Sequence, residues 1–225
     1  MKEHELHSGH RGRLDEKSRI IGLEFLEEHE QLEKLLFAVI PRGDTNAIAH
    51  ALLNRFGSVY GVLTAEVEHL REVQGVGVRT AEFLHDLMPL FGIVERSIMG
   101  SGRIILDTPE KMGAYAKSLF NGKVVENLYM ISLNVSRQII RVDKIAEGTA
   151  TASNVSLKKI ARLAVLNEAY SIVLAHNHPG GTPEPSYADI SITNEIKRVL
   201  ENVGVALLDH IIVACGKWYS MNLNK

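Results

Sequence analysis

The stretch from residue 170 to residue 189, YSIVLAHNHPGGTPEPSYAD, decides the fold. Its first six residues are a short apolar run, which is typical of a buried β-strand. The glycines and prolines that follow predict a loop. Ser186 is a residue type that caps helix N-termini, and it predicts a helix that reaches to about Val203. A strand, a loop and a helix in this order indicate an α/β unit.

The chain continues the same pattern on both sides of this stretch, from about residue 103 onward. The segments ENLYMISLNV and RQIIRVDKIAEG predict two strands joined by a turn, and GVALLDHIIVACG and KWYSM predict two more. Helices are predicted after Thr108 and from about Leu157 to Glu168. We therefore predict a mixed α/β domain over residues 103–225.

The first part of the chain has the apolar spacing of helices and no strand pattern. Asp44 can cap a helix over TNAIAHALLNRF, and a later helix is predicted from Val78 to about Leu87, closed by Pro89 and Gly92. We predict an all-helical domain over residues 1–96. Its first long apolar stripe consists of Phe25, Leu32, Leu35, Leu36 and Val39.

Composition and charge exclude several classes of protein. The chain is 45% hydrophobic and 23% charged, so it is not a mostly unfolded protein. No apolar run reaches the roughly 20 residues of a membrane helix, the N-terminus lacks the apolar core of a secretory signal, and a single cysteine excludes an internal disulfide. We expect a cytoplasmic protein without a membrane partner.

The loop after the apolar strand carries the candidate chemistry. Side chains two residues apart on an extended segment point the same way, so His176 and His178 can present two imidazoles together. Asp189 lies one turn inside the following helix, and the loop can fold back to bring it close. Two imidazoles and a carboxylate suit a catalytic zinc ion, which keeps a fourth position for an activated water.

A second interpretation of the same residues needs no metal. Ser186 and Asp189 have the spacing of a capping box, in which each side chain bonds the backbone of the other. The two interpretations are compatible, since Ser186 can cap the helix while Asp189 binds a metal.

Taken whole, the motif resembles the JAMM signature of MPN-domain metalloproteases, which is H-x-H, seven residues, S, two residues, D. The longer form HNHPxGxxxPSxxD resembles the RadC family in particular. The segments GHRGRL, LLFAVIPRGDTNAIAHALLNRFGS, LREVQGVG, ENLYMISLN, EGTA and LLDHIIV are similar to RadC proteins in the same order. The resemblance covers roughly residues 8–222 and implies a C-terminal MPN domain, whose layout is similar to that of cytidine deaminases.

The resemblance implies a role for each matching residue. His176, His178 and Asp189 match the ligands of one zinc ion per chain, and Ser186 matches the serine that polarises the substrate carbonyl. A glutamate at the start of an upstream strand serves as the base, and Glu126 is the best match. Glu147 is the competing candidate, interpreted otherwise as a surface or hairpin residue.

The helical part contains one further motif, LREVQGVGVRTA, which looks like a helix-hairpin-helix. Its turn can offer backbone N–H groups to a DNA phosphate, and the candidate contacts are Gly75, Val76, Gly77 and Arg79. A tight turn with packing value only is the alternative. Four glutamates and only two arginines lie between residues 66 and 82, which argues for weak DNA affinity at most.

Two classes of function follow. The first is a zinc-dependent peptidase or amidase acting on a protein or peptide substrate. The second is a DNA-associated protein whose hairpin binds DNA and whose metal is structural or nucleolytic. A zinc deaminase is excluded because it needs H-x-E and P-C-x-x-C. His210 is interpreted as a hydrogen-bonded structural histidine, with contact to a metal ligand as the alternative.

Overall fold

A computed structural model describes residues 2–98, 104–148 and 155–222 of the chain. The chain divides into two compact units, residues 1–90 and residues 91–225. Each unit has its own buried core, and each is described separately below.

Helices are the only regular secondary structure among the described residues of the first unit. It contains α1 (Lys2–Ile21), a short 3-10 helix (Leu23–Phe25), α2 (Glu28–Val39), α3 (Thr45–Phe56), α4 (Val59–Thr64), α5 (Val67–Arg71) and the start of α6 (Val78–Ile98). Asp44 caps α3 as predicted, since its side chain accepts a hydrogen bond from Ala47 N at 3.1 Å. The core is formed mainly by leucines, namely Leu32, Leu36, Leu52, Leu70 and Leu84.

The prediction that Phe25 belongs to the buried stripe of α2 is wrong. Phe25 lies in the 3-10 helix and is 72% exposed. Glu27 and Glu30 form a capping box that begins α2 at Glu28. The helical spacing therefore starts after Phe25 and does not extend back to it.

The prediction that Pro89 and Gly92 end the last helix is also wrong, because α6 runs through both residues to Ile98. A proline inside a helix removes one main-chain donor and crowds the preceding turn; Pro89 is exposed, so α6 carries this cost at its surface. Within the second unit, Arg96 Nη1 donates to Ser118 O at 2.6 Å. A side chain at Gly92 would come within 2.5 Å of the same carbonyl oxygen, so this glycine permits a close approach.

The second unit is built around one five-stranded sheet. Its described elements after α6 are α7 (Pro109–Leu119), β1 (Asn127–Leu133), β2 (Ile139–Glu147), α8 (Leu157–Leu166), β3 (Ser171–Asn177), α9 (Tyr187–Asn202), β4 (Ala206–Ala214) and β5 (Lys217–Ser220). The strand order is β2-β1-β3-β4-β5. Only β3 and β4 are parallel, so the sheet is mixed, and the predicted α/β class is confirmed.

Helices cover both faces of this sheet. On one face, α7 contributes Met112, Tyr115 and Ala116 to a core with Val173 and Ala175 of β3. On the other face, the apolar sides of α8 and α9 pack against the alternate residues of the same strand, Ile172 and Leu174. His176 continues this second series, so it points toward α9. Among the helices of the described residues, none has the length and apolar character to cross a membrane.

Candidate metal centre

The two histidines of the motif lie at the carboxyl end of β3, the middle strand of the sheet. His176 is fully buried, and His178, just beyond the strand, keeps 20% of its side chain exposed. The Nε2 atoms of the two rings are 2.8 Å apart. The strand end therefore presents two imidazole nitrogens to one point beside α9.

Asp189 faces the same point from the first turn of α9. Its Oδ2 accepts hydrogen bonds from Ser186 N at 2.8 Å and from Ser186 Oγ at 2.6 Å, and this contact completes a capping box. Its Oδ1 lies 3.2 Å from His176 Nε2. The capping box thus holds the carboxylate with one oxygen turned toward the histidines, so capping and metal binding are compatible here.

Glu126 joins this group from the residue just before β1. One ligand atom from each of Glu126, His176 and His178 lies within 4.8 Å of the other two. The register explains the approach, because Leu128 pairs with His176 across antiparallel strands, which brings residue 126 level with residue 178.

Glu147 is placed differently. It ends β2, the edge strand, and β1 separates that strand from β3. Its carboxylate pairs with Lys144 at an exposed position, and this contact lowers its pKa. Glu147 does not join the group that Glu126 forms with the histidines among the described residues.

Asn177, the residue between the two histidines, holds the backbone around Glu126. Its Oδ1 accepts from Asn127 N at 2.8 Å, and its Nδ2 donates to Val125 O at 3.0 Å. These two hydrogen bonds hold the backbone on either side of Glu126. Asn177 therefore fixes the distance between the glutamate and the two imidazoles.

Hydrogen-bond direction shows which nitrogen of His178 is free for a cation. His178 Nδ1 lies 2.8 Å from Thr182 O, and a carbonyl oxygen can only accept a hydrogen bond. The ring hydrogen of neutral His178 is therefore on Nδ1, and Nε2 carries a lone pair. That lone pair faces His176 Nε2 and the Asp189 carboxylate, an arrangement that a metal ion would stabilise.

The electrostatics of the site keep Asp189 ionised and His210 neutral. Burial opposes ionisation of Asp189, but its contacts with His176 and Ser186 prevail and hold the pKa of this carboxyl well below its usual value. Burial lowers the pKa of His210 far below the ordinary value, and neighbouring His176 lowers it further. A charged carboxylate is the form in which Asp189 can bind zinc, whereas His210 lies outside the predicted ligand set.

The comparison with known families now bears on this geometry. The family model described as the RadC-like JAB domain matches residues 106–225, which is more than half of the chain. The chain belongs to the RadC family. The matched region includes the histidine pair, Ser186, Asp189 and Glu126.

Curated proteins match the chain well beyond that domain. A UPF0758 protein of Fusobacterium nucleatum is 34% identical over 218 residues, which cover 94% of both chains. A UPF0758 protein of Ruegeria pomeroyi is 33% identical over 91% of both chains. A third, of Rhodobacter capsulatus, is 30% identical over 87% of this chain and 91% of its own. The helical unit is therefore shared with these relatives.

The turn predicted to contact DNA lies between α5 and α6. Gly75 has a φ of 90°, a backbone conformation that other residues rarely adopt, so the turn itself favours glycine there whether or not DNA binds. Val76 is buried in the helical core. Gly77 and Arg79 are exposed, so DNA could reach them. Glu72, beside the turn, carries a negative charge and pairs with Arg55.

Two residues of this site are not predicted by sequence reasoning. Asn177 was overlooked because it points away from the histidines, although its place inside H-N-H was a usable signal. Thr193 of α9 lies one turn after Asp189, and its Oγ1 is 2.6 Å from His210 Nδ1. Its spacing of four residues from Asp189 marks the same helix face, but nothing in the sequence relates that face to His210.

We expect Asn177→Ala to lower turnover by roughly 10- to 100-fold, the usual effect of losing an outer contact of a metal site. Zinc content should stay unchanged, because no predicted ligand is removed. Asn134→Ala is a matched control, since that asparagine also makes two hydrogen bonds, at the other end of β1. Equal losses of turnover per bound zinc in both variants would contradict the role of Asn177.

Proposed function

We propose that this RadC protein is a zinc-dependent hydrolase that cleaves amide bonds in peptides or isopeptides. The observation that carries the proposal is the convergence of His176, His178, Asp189 and Glu126 at one end of β3. Two imidazole nitrogens and one carboxylate oxygen form a donor set that suits catalytic zinc. Zinc supplies Lewis acidity, which makes water reactive near neutral pH and stabilises negative charge on an amide oxygen.

Glu126 is the general base of the proposed reaction. It stands beside the two imidazoles without being part of the predicted ligand set, and Asn177 fixes its backbone. Its carboxylate takes a proton from the attacking water and later gives it to the leaving amine. One residue can serve both steps because the proton that it takes from the water is the proton that the leaving amine needs.

Ser186 assists at the carbonyl of the substrate. It is exposed at the N-terminus of α9, and its hydroxyl hydrogen is donated to Asp189 Oδ2. If that hydroxyl rotates toward the substrate, Asp189 keeps the hydrogen bond from Ser186 N. A hydrogen bond to the developing oxyanion lowers the barrier for amide attack.

DNA association, the second class of function, has less support. Residues 1–90 carry 10 Lys and Arg against 15 Asp and Glu. Affinity for the DNA backbone depends on positive charge. The proposed DNA contacts at Gly77 and Arg79 remain untested, whereas the candidate metal site lies in the JAB domain, whose family model matches the chain.

The first test is zinc binding by the chelator-treated protein. We expect one zinc per chain by elemental analysis. Because zinc binds the folded state, free zinc at 100 times its dissociation constant should stabilise the fold by about 2.7 kcal/mol. A thermal melt should show this as an upward shift of several degrees.

Hydrolysis is then tested with the zinc-loaded protein on a mixed peptide library and on peptides joined through lysine side chains. New amines, read by mass spectrometry, would support amide cleavage. A protein that neither takes up zinc nor shifts its melting temperature would overturn the proposal.

A further inference from the structure

A chain of hydrogen bonds behind the metal centre connects three elements of the second unit. His176 Nδ1 lies 2.8 Å from His210 Nε2, and His210 Nδ1 lies 2.6 Å from Thr193 Oγ1. Thr193 Oγ1 in turn contacts the backbone oxygen of Asp189. This series of hydrogen bonds therefore starts at the predicted ligand His176 on β3, passes through His210 on β4 and ends at the predicted ligand Asp189 on α9.

The direction of every hydrogen bond in this series follows from its last acceptor, the backbone oxygen of Asp189. The carbonyl oxygen of Asp189 can only accept, so the hydroxyl of Thr193 donates its single hydrogen there. Thr193 Oγ1 must then accept from His210 Nδ1. A neutral imidazole has one hydrogen, so His210 Nε2 is an acceptor and the hydrogen of the His176 contact belongs to His176 Nδ1.

We propose that His210 and Thr193 are positioning residues, which hold His176 in the tautomer with hydrogen on Nδ1 and so reserve its Nε2 for the metal. This inference rests on the proposed function in one respect, namely that His176 is a ligand. It goes beyond the ligand set by assigning a task to two residues that do not touch the ion. A ligating histidine commonly gives its other N–H to such a partner.

The surroundings of His210 hold the ring rigidly in place. His210 is 2% exposed, its backbone N donates to Asp209 Oδ1 at 2.7 Å, and its backbone O accepts from Met221 N at 3.1 Å. The Asp209 carboxylate is itself fixed by Ser220 Oγ. The imidazole is thus anchored on β4, with its two nitrogens left for His176 and Thr193.

The hydrogen bonds that connect His176, His210 and Thr193 (the relay) leave His176 Nε2 without hydrogen. The hydrogen bond of His178 Nδ1 to Thr182 O does the same for His178 Nε2, so the centre is rich in lone pairs. Both Nε2 atoms, 2.8 Å apart, then lack hydrogen and face the Asp189 carboxylate. No hydrogen of either ring separates the two nitrogens. A cation between them resolves this repulsion, so the relay favours metal binding before any ion arrives.

The matched pair Thr193→Val and Thr193→Ser tests the relay. Valine keeps the shape and removes the hydroxyl, whereas serine keeps the hydroxyl. We expect Thr193→Val to weaken zinc binding by roughly 10- to 100-fold in a chelator competition. Thr193→Ser should stay close to the wild type. His210→Leu, which removes both relay bonds, should weaken zinc binding at least as much as Thr193→Val.

The tautomer itself is read in the metal-free protein by long-range proton–nitrogen NMR above neutral pH. Wild type and Thr193→Ser should show His176 protonated on Nδ1, and Thr193→Val should shift protonation toward Nε2. Protonation on Nε2 in the wild type, or unchanged tautomer and affinity in Thr193→Val, would overturn the relay. Failure of the wild type to bind zinc would instead overturn the proposed function, since the spectrum reports on the relay without zinc.

Discussion

Replacing Glu126 with glutamine is expected to leave zinc content unchanged and to lower turnover by about 10²- to 10⁴-fold. Glutamine has nearly the same shape as glutamate, so the backbone bonds that Asn177 makes around this position should persist. It cannot take a proton at neutral pH. The variant therefore separates proton transfer from metal binding.

The chain offers a matched control in Glu147→Gln. Glu147 is the competing base by sequence, but it ends the edge strand and pairs with exposed Lys144. We expect this variant to keep wild-type turnover and zinc content. Turnover on the peptide assay and zinc per chain should be measured for both variants in parallel.

Two results would contradict the assignment of the base. Equal loss of turnover in both variants would mean that neither carboxylate acts alone as the base. Loss of zinc from the Glu126→Gln protein would make Glu126 a metal ligand, and the water would then need a different base. Ligand atoms of Glu126, His176 and His178 lie within 4.8 Å of one another, so zinc content is the measurement that distinguishes a base from a ligand at this position.

Most of the second unit could be predicted from sequence because its signals are local. Thr108 caps α7 and Ser186 caps α9, as their residue types and the prolines beside them indicate. β1, β3 and β4 are mainly apolar runs bounded by turn residues. Local signals suffice where each element carries its own beginning and end.

The helices of residues 2–98 were harder to predict. Pro89 and Gly92 are typical helix breakers, yet α6 continues through them, and Gly92 approaches the carbonyl oxygen of Ser118, a contact distant in sequence. Phe25 has helical spacing, but the capping box of Glu27 and Glu30 begins α2 after it, and apolar spacing alone does not include that local signal.

In the candidate site, too, some features follow from local sequence patterns and others depend on the tertiary structure. The spacing of H-x-H and S-x-x-D indicates three ligands, because strand alternation and helix capping are short-range rules. The choice between Glu126 and Glu147 depends on strand order, which no local pattern contains. The contact of His210 with Thr193 likewise depends on the packing of α9 against β4.

Replacing Asp189 with alanine is expected to abolish stoichiometric zinc binding. The carboxylate supplies the only negative charge of the predicted three-ligand set, and its Oδ1 is directed at His176 by the capping box. Two imidazoles alone leave the site without a third protein ligand, which catalytic zinc requires. Elemental analysis should fall from one zinc per chain to a trace.

Ser186→Ala is the control that separates metal binding from helix capping. Both variants break the capping box, which should cost about 0.5–2 kcal/mol of stability in each. Only the Asp189 variant removes a predicted ligand, so only that variant should lose zinc. Full zinc in Asp189→Ala would contradict the ligand assignment, whereas equal zinc loss in both would show that the cap, by orienting α9, determines affinity. The expected outcome is similar melting temperatures for the two metal-free proteins and zinc retained by Ser186→Ala alone.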